Sequence, residues 1–127
     1  MSRYDLSVGA PPELAALPWV YVLGVGGPED AAGIGQVDRF VWRFVVLDDG
    51  PLPVVLGFRA MPDLMAFTRA VNGTAPQRVP TEAVKVSPAA WHGGIPAILW
   101  LDPSPDAFDA AASGRPLGER RIPELAL

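Results

Sequence analysis

The chain has no cysteine, one histidine and one lysine. Without thiols there can be no thiol nucleophile, no disulfide and no thiolate metal site. With a single imidazole, at His92, a zinc site would need carboxylates for all its other ligands, a poor donor set. Lys85 is the only lysine, so nine of the ten basic residues are arginine. Amides are also scarce, with one Asn and two Gln, whereas prolines number fifteen. That bias fits a thermophile host or a GC-rich genome, and composition alone does not separate them. Positive charge is in deficit, with a formal net charge of −4 and a pI near 4.8. Such a balance argues against a broad nucleic-acid-binding surface, which needs clustered Lys and Arg.

Long hydrophobic runs are missing too. The longest near the N-terminus, Leu17 to Val25, is too short to span a bilayer and is broken by Pro18 and Gly24. The opening residues, MSRYDLSVGA, lack the basic-then-apolar order of a signal peptide. The expectation is a soluble, cytoplasmic protein that makes no membrane contact.

What is present reads as one domain. At 127 residues the chain can bury roughly two-thirds of its unfolded surface. Half the residues are apolar and 19% are charged, which is the balance of a globular protein. Proline followed by an acid marks several helix starts, where the missing N–H costs nothing and the dipole favours negative charge. Pro11, Pro12 and Glu13 open a short turn through Leu17. Pro62 and Asp63 open the main helix, closed by Asn72 and Gly73. Ser87 and Pro88 begin a brief turn ending at Gly93. Ser104, capping through its hydroxyl, with Pro105 and Asp106, opens a last helix ending at Gly114. In the main helix Leu64, Phe67 and Val71 form an apolar stripe, with Asp63, Thr68 and Arg69 turned outward.

Strands are expected at Trp19 to Leu23, Phe40 to Leu47, Val54 to Phe58, Val84 to Val86 and Ala97 to Leu101. Phe40 to Leu47 is apolar on both faces, as a central strand covered on two sides would be. It turns through Asp48-Asp49-Gly50-Pro51 into its partner. The predicted class is α+β: a single mixed or antiparallel sheet of about four or five strands with helices packed on it. Within that one domain, residues 24–37 read as a flexible loop and 113–127 as a docking or disordered tail.

Few residues suggest chemistry. Gly24, Gly26 and Gly27 follow a strand, but Glu29 stands where a dinucleotide fingerprint needs Gly or Ala, and no Gly-Lys-Ser/Thr is present. No cofactor is expected. Asp48 and Asp49 are adjacent carboxylates without the spacing of a calcium loop, and turn chemistry accounts for them without a metal. His92 could act as a general base, oriented by Asp102, with Ser87 or Ser104 as nucleophile. Nothing in the spacing brings these groups together, and a partly exposed structural histidine is the favoured reading. Trp42 and Trp100 read as core. Trp91 is either a cover for the sheet edge or an exposed anchor for a partner. The tail, with Arg115, Arg120 and Arg121 beside Ile122, Leu125 and Leu127, can dock on another chain, pack back or stay disordered. The candidate partner-binding residues are Trp91, Arg120, Arg121, Ile122 and Leu125.

The run VVLDDGPLPVVLGFRAMPDLMAFTRA, followed by VPTEAVKVSPAAWHGGIPAILWLDPSPDAF, resembles the amino-terminal domain of SseB-like bacterial proteins. The matching positions are Val54 to Phe58, Leu64 to Phe67 and Leu101-Asp102-Pro103, within about half the chain. The pattern departs where Arg59 replaces the polar residue after Phe58 and Asp102 replaces Asn. The resemblance implies an α+β adaptor-like domain, and it carries over no active-site residue. The other reading is a small bacterial family of its own. The expected function is a non-enzymatic protein-interaction or regulatory module that associates as a homodimer or with another protein. The alternative is a small hydrolase or ligand-binding enzyme centred on His92. A third reading, a nucleic-acid accessory protein, would need Arg39, Arg43, Arg59 and the tail arginines on one face.

Overall fold

In the computed structural model, residues 2–28, 40–73, 77–80 and 82–126 are described. Seven strands form one mixed, curled sheet: β1 (Ser2–Asp5), β2 (Val20–Pro28), β3 (Phe40–Leu47), β4 (Val54–Phe58), β5 (Ala83–Val86), β6 (Ile98–Leu101) and β7 (Gly118–Arg120). Three helices join them: α1 (Pro12–Ala15), α2 (Met61–Asn72) and α3 (Pro105–Ala112). The α+β expectation stands, but the strand count of four or five is too low. The additional strands, β1 and β7, are edges that pair only with β6 and β3 respectively. Neither has an apolar period of its own, so the neighbouring ladder creates them.

The expected loop at 24–37 is also corrected over its described part. Gly24 to Pro28 continue β2 and pair with Phe44 to Phe40 of β3. Residues 29–39 lie outside the described residues. The curl comes from β4, which meets β3 at Val54 and Val55 and then β2 at Gly57 and Phe58 along the same edge. On its other edge β4 runs parallel to β6, the sheet's one parallel pairing among the described residues.

Alternation along each strand divides the core in two. Leu23, Val45, Leu47, Val54, Leu56, Phe58 and Trp100 face α2 and α3. Val20, Val22, Phe44, Val46, Val55, Leu99 and Leu101 face the other way, beneath α1 and the chain ends. Phe44 to Leu47 show the two-sided burial expected of this strand, whereas Arg43 is exposed and the side chains of 40–42, Trp42 among them, lie outside the described ones. Gly57 lies on that second face, where a Cβ would come within 2.7 Å of Leu99 and 2.9 Å of Val20. On the helical face the Phe58, Phe67 and Phe108 rings contact in series, at centroid separations of 5.1 and 5.3 Å. They lock α2 and α3 onto β4.

Local signals behave as expected at most helix ends. The Gly73 N–H closes α2 onto the Arg69 carbonyl, at a φ of 51°. The single asparagine, Asn72, then pins the returning chain, accepting from Arg78 N and Val79 N and donating to Val79 O. Thr68 is a correction: it is buried, and its hydroxyl donates to Met65 O at 3.0 Å. Asp5 caps a 3-10 turn at Leu6–Val8, accepting from the hydroxyl and N–H of Ser7. Those two bonds hold its carboxyl below the usual carboxylate range. The contact therefore stabilises the fold above the unfolded pKa and is lost as pH falls through the depressed one. Ser104 accepts from Ala107 N at 3.1 Å, capping α3 as predicted. Ser104→Ala is expected to cost about 1 kcal/mol in urea denaturation, with an unchanged m-value.

Candidate functional site

Parallel β4 and β6 leave the sheet at the same end, where antiparallel β2 enters and β5 finishes. The residue after each parallel strand is charged. Asp102 accepts from the Arg59 backbone N–H at 3.1 Å and from Arg59 Nε at 2.7 Å. Asp102 has a φ of 51°, a left-handed conformation that Asp tolerates better than most residues. The pair is partly exposed, so its energy is at most about 1 kcal/mol. Its effect is to tie together the chains entering α2 and α3.

Next to it lies a groove of about 390 Å³, lined by Phe58, Ala66, Phe67 and Pro105, with Asp63 and Asp102 as its acidic members. One carboxylate is committed to Arg59, and no imidazole lines the groove. Acid–base catalysis has no paired groups here. At the same end of the sheet, Trp19 precedes β2 and is 40% exposed, while Met61 and Met65 on α2 are 38% and 40% exposed. These are three of the four exposed large hydrophobics among the described residues. The fourth, Val8, follows Leu6, which bonds to Ala97 at the opposite end. Lys85 Nζ sits 3.9 Å from the centroid of the Trp19 ring, which holds the indole in place.

The residues suggested by sequence fall elsewhere. His92 is exposed in the segment entering β6, whereas Asp102 follows the exit of β6 and is bound to Arg59. Ser104 is occupied as the cap of α3, and Ser87 precedes a 3-10 turn at Pro88–Ala90. The structure does not assemble a triad from these four. Gly94, two residues after His92, has a packing role: a Cβ there would lie 2.4 Å from Ser7 O. Asp48 and Asp49 diverge, pairing with Arg120 at 3.3 Å and Arg3 at 3.2 Å. No group of three or more possible metal ligands occurs among the described residues.

The expected partner-binding set needs correction. Trp91 is 7% exposed and donates its indole N–H to Leu125 O at 3.1 Å. Ile122 and Leu125 are 3% and 0% exposed, in the core beneath the sheet. The tail packs back on its own domain, because aliphatic side chains close to a half-covered sheet bury more area there than in solvent. Arg120 and Arg121 stay exposed, the former paired with Asp48. Of the arginines needed for a nucleic-acid face, Arg59 and Arg120 pair with acids, Arg115 bonds carbonyls of α3, and Arg39 lies outside the described residues.

Sequence reasoning passed over Met61 and Met65, although their i, i+4 spacing off the Leu64–Phe67–Val71 stripe marks them as outward-facing. Among the described residues, no helix is long and apolar enough to cross a membrane. Compared with known proteins, the chain matches no family model, no curated protein and no solved structure.

Proposed function

We propose that the protein is a non-enzymatic interaction module of regulatory type, and that it docks on a second copy of itself through Trp19, Met61 and Met65. The observation that carries this reading is that Trp19, Met61 and Met65 are exposed large hydrophobics, with Trp19 entering β2 and Met61 opening α2 just after β4 leaves the same end of the sheet. Tryptophan and methionine are enriched in interfaces. The same surface carries both signs of charge. Asp63 and Arg69 are exposed on α2, and Lys85 covers Trp19. A two-fold arrangement can therefore set acid against base across the axis, as an isologous interface requires.

The chain resembles SseB-like amino-terminal domains except at Arg59 and Asp102, which form an ion pair here. The dispersal of ionisable groups weighs against the alternative, an enzyme centred on His92.

The test is the solution mass by light scattering across a concentration series. The unaltered chain is expected to exceed 13.5 kDa and approach twice that value. Trp19→Ala or Met65→Glu is expected to weaken the dimer by roughly 2 kcal/mol or more, about thirtyfold in Kd. His92→Ala should leave the mass unchanged. A monomer at high micromolar concentration would end this reading.

A further inference from the structure

A second groove, of about 690 Å³, lies between β1 and α3, lined by Arg3, Trp100, Ala107, Ala110 and Ala111. Trp100 is only 2% exposed, and its indole N–H has no acceptor among the described residues. Buried donors are almost always satisfied, as Trp91 illustrates, so this one calls for a partner. Arg3 is directly opposite Trp100 in the β1–β6 register, and its guanidinium carbon sits 4.3 Å from the ring centroid. The Arg3 fork has five N–H donors, and among the described residues its ion-pair contact is a single one, to Asp49 at 3.2 Å. Both members of that pair are partly exposed, so the contact is weak and an incoming anion can share or displace it. The three alanines of α3 leave open the space that larger side chains would occupy, in a size range typical of small-molecule sites.

We propose that this groove binds a small organic carboxylate. The indole nitrogen is covered as the side chains stand, so binding requires its neighbours to shift. One carboxylate oxygen then takes the Trp100 indole N–H and the other takes the Arg3 guanidinium, while the apolar body lies along Ala107, Ala110 and Ala111. A neutral carbonyl would satisfy the indole alone, whereas a carboxylate uses both donors and the arginine charge. The site shares no residue with the Trp19–Met65 surface, so it does not depend on self-association.

Hexanoate and hexanamide are suitable probes, because they share an alkyl body and differ in charge. Their binding is read from the indole N–H resonance of Trp100 in nitrogen-15 spectra, assigned by its loss in Trp100→Phe. Hexanoate is expected to give a saturable shift of that signal while the Trp91 signal stays still. Hexanamide is expected to bind at least tenfold more weakly. Arg3→Gln should weaken hexanoate at least tenfold, and Ala110→Leu should abolish the shift by filling the groove. The proposal is overturned if hexanoate gives no saturable shift, or if the amide binds as well as the acid. An Arg3→Gln protein that folds and binds hexanoate unchanged would overturn it too. Should that variant fail to fold, the acid–amide comparison on the unaltered protein decides the matter.

Discussion

A chain ending at Gly114 is expected to lose cooperative folding. The truncation removes β7 from the edge of β3, and with it the buried Ile122 and Leu125. It also strands the Trp91 indole N–H, which donates to Leu125 O. Each large aliphatic side chain taken from a packed core costs about 2–5 kcal/mol, and a buried donor left without its acceptor costs about 1–3 more. Together these losses rival the roughly 5–15 kcal/mol that holds an average domain folded. Near-ultraviolet circular dichroism and amide dispersion would read the outcome. Leu125→Ala alone is expected to cost about 2–5 kcal/mol in urea unfolding. Arg120→Ala, which breaks only an exposed ion pair with Asp48, should cost about 1 kcal/mol or less. A truncated chain with native dispersion would show that the tail is dispensable to the core.

The second large effect is expected at Gly94. Its neighbours are laced to the 3-10 turn at Leu6–Val8, with Ile95 N donating to Leu6 O at 2.8 Å and Leu6 N to Ala97 O at 3.0 Å. A methyl at Gly94 would meet Ser7 O at 2.4 Å and Ser7 C at 3.2 Å, and both are backbone atoms that cannot rotate away. Gly94→Ala is therefore expected to destabilise by about 2–4 kcal/mol, at the upper end of overpacking effects. Gly93→Ala is the control, since nothing lies within 4 Å of a Cβ there. Near-equal melting temperatures for the two variants would sink the packing account of the Trp91-His92-Gly93-Gly94 segment.

These two cases show where sequence reasoning stopped. The segment carrying His92 invited a catalytic reading because a lone imidazole can act as a general base near neutral pH. Its glycine is instead required by the approach of Ser7, 87 residues earlier in the chain, which no local pattern can register. The tail was ambiguous for a similar reason. Alternating arginines and aliphatics suit a docking arm as well as a returning strand, and only the half-covered face of the sheet decides between them. Thr68 looked outward by polarity, yet its hydroxyl satisfies itself on Met65 O and so can be buried at small cost.

The sequence by itself determined the class of fold, the strands β2 to β6, the proline-marked helix starts at Pro12, Pro105 and beside Pro62, the Ser104 cap and the Gly73 stop. Each is set by interactions within a few residues: proline φ, hydroxyl capping, and apolar alternation. Tertiary structure alone decided that β1 and β7 are strands and that the tail enters the core. It also decided that Asp48 and Asp49 part company, and that Trp19, Met61 and Met65 stay exposed. Those outcomes depend on which distant segment arrives to pair, cover or collide, and burial is a property of the assembled surface that no single segment holds.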